Sequence, residues 1–194
     1  MVKISGTNST GDRGSNKFNY DHVFDSNAPQ GLIYERAVKP IVLGVMEGFN
    51  GTVFAYGQTS SGKTHTMLGP NITDEAERGM IPRMVSHIFE EIANAPQEME
   101  FQVKVSMIEI YMEKVHDLIN PSAQNLKIRQ EKSKGVYIEN VTEIYVSEEG
   151  EVYQLMVQGS QNRSISATDM NARSSRSHTC FIVTVQQSNM KTFS

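Results

Sequence analysis

The segment Gly57-Gln58-Thr59-Ser60-Ser61-Gly62-Lys63-Thr64 sets two glycines, a lysine and a threonine at the spacing G-x-x-x-x-G-K-[ST]. Each residue type has a chemical job there. Glycine tolerates the torsions that curl a loop until its N–H groups face inward, toward phosphate oxygens. Lys63 brings a mobile positive charge suited to β- and γ-phosphates, and the Thr64 hydroxyl is a ligand for Mg²⁺. A helix starting at this point adds its positive end to the same place. The spacing points to a nucleotide phosphate site with Mg²⁺ as its companion ion.

Such a loop needs a strand before it and a helix after it. Thr52-Val53-Phe54-Ala55-Tyr56 is β-branched and aromatic without charge, which predicts a buried strand. Lys63 to Leu68 contains no glycine or proline and continues as helix. A second polar constellation lies far along the chain, at Asn171-Ala172-Arg173-Ser174-Ser175-Arg176-Ser177-His178. Alone it reads as a solvated loop. Beside a phosphate loop, its hydroxyls, amide and guanidiniums are equipped to bind Mg²⁺, sense a γ-phosphate and pair with a carboxylate.

The elements around these two segments alternate. Residues 1–17 are rich in Gly, Ser, Asn and Thr and read as a flexible leader. Phe18–Phe24 predicts a short strand. Asp25-Ser26-Asn27 offers caps for a helix from about Pro29 to Gly48, with Ile33, Ala37, Ile41 and Val45 as its buried stripe and a kink at Pro40. Residues 69–79 form an acidic, turn-rich insertion. Pro82 suits the first turn of a helix that turns Val85, Ile88, Phe89 and Ile92 inward. Phe101–Tyr111 predicts a long strand, bulged or buried on both faces. Shorter strands follow near 126–129, 136–139 and 143–146, then a helix begun by Ser147-Glu148-Glu149 and ended near Gly159. His178–Gln187 predicts a last strand. Helices alternating with strands around a phosphate loop give an α/β fold.

Composition narrows the function. The 194 residues are 38% hydrophobic and 21% charged, the balance of a globular protein. A net charge of −4 argues against a nucleic-acid partner for the chain as a whole. One cysteine, Cys180, precludes an internal disulfide framework and suits a reducing cytosol. The apolar runs are too short for membrane insertion, and no secretory signal is recognisable.

With both constellations in hand, the sequence resembles the kinesin motor domain, a P-loop NTPase with a mixed central sheet flanked by helices. The resemblance rests on Phe18–Phe24, on the run from Gly51 through the phosphate loop to His65-Thr66-Met67, and on Gly79-Met80-Ile81-Pro82-Arg83. Ser106–Leu118 and Asn171–His178 complete it. It spans residues 18–187, with 188–194 as a tail, and is nearest to conventional kinesin heavy chain. It implies ATP and Mg²⁺ as cofactors and microtubules as partner, hence a cytoplasmic, cytoskeletal protein. Lys63, Ser174 and Arg176 become catalytic residues: Ser174 placing the attacking water, Arg176 paired with a glutamate. Gly57, Gln58, Thr59, Ser60, Ser61, Gly62, Lys63, Thr64, His65 and Asn171 become nucleotide contacts, His65 near the adenine. Thr64 and Ser175 become the Mg²⁺ ligands. Tyr111, Lys114, Lys132 and Lys134 fall where kinesins touch tubulin, whose acidity suits cations.

The resemblance also implies segments not found between residues 1 and 194: an N-terminal strand with R-x-R-P, and everything from the D-L-A-G-S-E switch onward. In kinesins the missing strands flank the one leading into the phosphate loop. The expectation is therefore an incomplete motor domain, with Thr52–Tyr56 short of ladder partners and its apolar side chains uncovered. The alternative is an inert fragment retaining weak nucleotide or tubulin binding. A GTPase is disfavoured because Asn16-Lys17-Phe18-Asn19 lacks the aspartate of N-K-x-D and precedes the phosphate loop. A protein kinase is disfavoured because its glycine loop has another pattern.

Overall fold

A computed structural model describes residues 2–7, 13–132, 135–165 and 176–190. The chain divides into two compact units, Met1–Ala55 with Thr64–Arg83 and Tyr56–Lys63 with Met84–Ser194.

In the first unit, β1 (Val2–Thr7) and β2 (Arg13–Phe18) pair antiparallel, from Val2 opposite Phe18 to Thr7 opposite Arg13. The leader expected from composition thus contains a hairpin, whose backbone groups satisfy one another across the ladder. The strand expected at Phe18–Phe24 is confined to the end of β2, and residues 19–25 are irregular.

The predicted helix forms as α1 (Gln30–Ile33), a π-helical turn (Tyr34–Val38) and α2 (Lys39–Met46). Pro40 explains the middle piece. It has no N–H to give, and its ring presses on the carbonyl four residues back. The helix widens just before it, and the Lys39 N–H reaches the Tyr34 carbonyl instead. The expected caps do other work: Asp25 Oδ1 accepts from the Asn27 N–H at 2.8 Å, and Pro29 occupies the cap position with no side-chain bond.

The buried row is Gln30, Tyr34, Val38 and Val42, one residue beyond the stripe expected from spacing. Rows four apart lie side by side on a helix, and the expected row flanks the true centre. Ile41 and Val45 press on the backbone of Gly51, where an added Cβ would lie 2.5 Å from Ile41 Cγ2. α3 (Lys63–Met67) is short. The acidic insertion after it closes on itself: the Gly79 N–H donates to the Leu68 carbonyl at 2.8 Å, and Arg83 donates to the carbonyls of Glu75 and Arg78 at 2.5 and 3.0 Å.

The second unit is organised by β3 (Met99–Tyr111), which the sequence predicts as a long strand. It pairs antiparallel with β9 (Ser177–Asn189) over its whole length without a register shift. Its other edge is shared by β8 (Ile144–Val146), opposite Val103–Val105, and β4 (Lys114–Asp117), opposite Ile108–Tyr111. β5 (Gln124–Leu126) extends the sheet beyond β4. Ile128–Glu131 and Gly135–Ile138 form a separate hairpin, β6–β7, so the strand expected at 126–129 is split between two sheets. From Val105 to Ile108 every β3 side chain is buried, which is burial on both faces rather than a bulge. α4 (Met80–Asn94) buries Val85 and Ile88 as its periodicity predicts.

α5 (Glu149–Ile165) begins where Ser147-Glu148-Glu149 predicts, with Glu151 reaching back to the Ser147 N–H at 2.6 Å. It does not end at Gly159. That glycine lies inside the helix, where an added Cβ would collide with the Met107 sulfur of β3. Gly159 is there for close helix–sheet approach, and no local signal separates that use from a C-terminal cap. Met107 packs with Leu118 and Ile119, flanked by Leu155 and Phe181.

Asp117 is buried despite its charge. Lys114–Asp117 reads as too polar for a buried strand, yet Val115 and Asp117 are both buried in β4. The Asp117 carboxylate accepts from the N–H groups of Ile119, Asn120 and Thr142 at 2.8, 2.9 and 2.7 Å, which replaces its lost hydration. The alternation follows from the ladder with β3.

Two stability predictions follow from this packing. Asp117→Ala leaves three backbone donors without their acceptor and should lower stability by about 2–4 kcal/mol in urea denaturation. Gly159→Leu forces a side chain into Met107 and should lower it by about 1–3 kcal/mol; an unchanged urea midpoint would show that α5 packs on β3 more loosely than the contact implies.

Candidate nucleotide-binding site

The phosphate-loop residues that fall in the second unit form a tight, solvent-facing curl. Ser60 and Gly62 both take left-handed backbone torsions, with φ of 65° and 90°. For a serine that conformation is uncommon. The Ser61 N–H donates to the Gln58 carbonyl at 3.2 Å, and a Cβ on Gly57 would run into the Ser61 hydroxyl. Gly57 is therefore required by space and Gly62 by torsion. Lys63 folds back into this curl: its Nζ donates to the Gly57 carbonyl at 2.9 Å and the Gln58 carbonyl at 2.8 Å. The carbonyls hold the ammonium by charge–dipole attraction where phosphate oxygens could replace them.

In the first unit, the Thr64 carbonyl accepts from the Leu68 N–H at 2.8 Å. His65 is exposed, and its main chain and ring both meet Gln30. Gln30 Nε2 lies 2.7 Å from the His65 carbonyl oxygen and 3.2 Å from His65 Nδ1. Sequence reasoning missed Gln30. The available signal was a polar residue at the head of a row of spacing four, Gln30-Tyr34-Val38-Val42, in which the other members are apolar.

The strand expected before the loop is absent as such. Thr52–Tyr56 pairs with no strand among the described residues, and Phe54 and Tyr56 are 80% and 95% exposed. β-propensity alone does not make a strand, because the ladder bonds that define one need a neighbour. The uncovered apolar side chains match the second expectation drawn for this segment.

Of the second constellation, Asn171, Ser174 and Ser175 lie outside the described residues. Arg176 is exposed, one residue before β9. Arg163 links the two described ends: its Nη2 donates to the Ser177 hydroxyl at 3.0 Å, and its Nε lies 3.5 Å from Oε1 of Glu109, buried on β3. The tubulin candidates fall at two places. Tyr111 ends β3 opposite Lys114 across a tight turn, in which Met112 and Glu113 both have positive φ. Lys132 follows β6 and is exposed, and Lys134 lies outside the described residues. Cys180 is half-buried on β9, and burial pushes its thiol pKa up, the opposite of an activated nucleophile. No cluster of metal-binding side chains occurs among the described residues, and none of their helices is long and apolar enough to cross a membrane.

Comparison with known proteins converges on one family. The kinesin motor domain profile matches residues 2–194, reaching back across the expected leader. The chain is 52% identical over 175 residues to a kinesin heavy chain of Syncephalastrum racemosum, covering 90% of this chain and 19% of that one. It is 47% identical over 183 residues to kinesin-related protein 3 of Dictyostelium discoideum, covering 93% and 15%. It superposes on the solved structure of a fast kinesin with a TM-score of 0.88 at 46% identity, over 94% of this chain and 51% of the other. The chain thus spans about a fifth or less of the length of these curated relatives and about half of the solved chain. On its phosphate loop, its mixed α/β fold and these matches, the chain belongs to the kinesin motor domain family.

Proposed function

We propose that this chain binds ATP with Mg²⁺ through Gly57–Thr64 and serves a motor ATPase that works on microtubules. The observation that carries the reading is the Lys63 ammonium held inside its own loop by the Gly57 and Gln58 carbonyls, in a chain of the kinesin family. An incoming phosphate competes for those same donors. The curl fits the group: Gly57 has no room for a side chain, and the left-handed torsions at Ser60 and Gly62 are those of a tightly turned loop. When bound, Mg·ATP supplies a γ-phosphorus open to attack by water, with its oxygen charge drawn off by the cation.

The chain's own residues do the rest. Lys63 neutralises phosphate charge and the loop N–H groups orient the phosphates. Thr64 and Ser175 offer hydroxyls to the Mg²⁺. Ser174 orients the water, Arg176 pairs with a carboxylate, Asn171 contacts nucleotide and His65 lies beside the adenine. Tyr111, Lys114, Lys132 and Lys134 are the tubulin contacts in this reading, under which the protein works on the cytoskeleton in the cytoplasm.

Isothermal titration with ATP in Mg²⁺ tests the nucleotide reading. Lys63→Ala removes charged hydrogen bonds and should weaken binding about ten- to a hundredfold, with circular dichroism unchanged. Equal affinity in the variant would remove the phosphate role of the loop. Sedimentation with microtubules tests the partner: binding should weaken as salt rises and vanish when Lys114, Lys132 and Lys134 are together changed to Glu. Binding that survives that reversal would take these lysines out of the interface.

A further inference from the structure

Gln30 is only 6% exposed, yet its amide nitrogen meets two atoms of one exposed residue, His65. A carbonyl oxygen only accepts hydrogen bonds, so the NH₂ end of Gln30 must face the His65 carbonyl, 2.7 Å away. The reverse orientation would set two acceptors against each other. The same nitrogen is 3.2 Å from His65 Nδ1, so its second proton points to that ring nitrogen. Nδ1 must then be unprotonated, and the neutral ring carries its proton on Nε2. Gln30 Oε1 is buried with no hydrogen-bond partner among the described residues. An acceptor left unsatisfied is unfavourable. The amide is held in this orientation by what its donor end does for His65.

The helix makes this possible. Gln30 opens α1 and heads the buried row continued by Tyr34, Val38 and Val42, so its side chain has little freedom of its own. An amide fixed in this way fixes the imidazole it holds, in both rotamer and tautomer.

We propose that Gln30 is a positioning residue for base recognition. It locks His65 so that an exposed imidazole, with its proton on Nε2, is already in place when a purine base arrives. The inference rests on the reading of His65 as the adenine neighbour. A ring ordered in advance stacks on a flat base without losing further rotational freedom, which improves affinity for the base and not for the phosphates.

The test uses the full chain. In ¹⁵N NMR of the wild type, His65 should show a single neutral tautomer, protonated on Nε2 and hydrogen-bonded at Nδ1. A ring protonated on Nδ1 overturns the proposal without any variant. Gln30→Met, of similar size and shape, should mix the tautomers; an unchanged ¹⁵N pattern also overturns it. In titrations with Mg²⁺, Gln30→Met should lose about three- to tenfold in affinity for ATP and nothing for inorganic triphosphate. In a His65→Ala background the same change should have no further effect on ATP. If that background leaves the loss intact, Gln30 acts on the fold and not through His65, and the proposal fails. If wild type holds ATP no more tightly than triphosphate, the adenine role of His65 falls and this inference with it. If ATP is preferred and Gln30→Met keeps the full preference, only this inference falls.

Discussion

The ladder between Met99–Tyr111 and Ser177–Asn189 is the constraint on which the second unit depends. β3 gives one whole edge to β9 and divides the other between β8 and β4. A strand hydrogen-bonded on both edges and buried on both faces has no freedom to slip, because a one-residue shift would reverse every side chain. The features around the site follow from that fixed register. Tyr111 and Lys114 meet at the turn end of the β3–β4 hairpin. Ser177 lies opposite Tyr111, which sets where Arg176 leaves the sheet. Glu109, buried on the same strand, reaches Arg163 of α5, and Arg163 reaches Ser177. The start of β9 and the last turn of α5 are thereby tied through Arg163, which also pairs with the buried Glu109 of β3.

The phosphate loop depends on nothing so extended. Its curl comes from a serine and a glycine in left-handed torsions, a glycine with no room for a Cβ, and a lysine bonded to carbonyls five and six residues back. These are local forces, and they shape the loop although Thr52–Tyr56 before it pairs with no described strand. The loop of this chain is in this sense self-organising. Its lysine is held against its own backbone, in the contacts that the proposed phosphate would take over.

Legibility in the sequence divided along the same line. The phosphate loop, the long strand, the inward face of α4 and the start of α5 were all readable, because each depends on residue types a few positions apart. The errors lie where partners are distant. Gly159 carries the signature of a helix end but is a contact point for Met107, 52 positions earlier in the chain. Asp117 sits in a segment too polar to read as a buried strand, and only Thr142 and the turn after it make its carboxylate affordable. The buried stripe of the first long helix lies one residue from the row that spacing predicts, because flanking rows on a helix look alike until something covers one of them. Gln30 went unnoticed for a related reason: nothing local says that a glutamine should be buried, and His65 lies 35 residues away.

The sequence by itself determined the family of this protein and the local curl of its phosphate loop. Gly57–Thr64 shapes its curl through torsion, space and charge, and Asn171–His178 carries the hydroxyls and guanidiniums on which the proposed function draws. Such motifs act through residue type and short spacing, which a linear chain displays directly. Tertiary structure alone decided which apolar run became a strand, which glycine served packing, and which buried amide holds the histidine beside the phosphate loop. Those outcomes depend on ladders and contacts between residues far apart in the chain, and a strand, a close approach or a buried polar group exists only when its partner is in place.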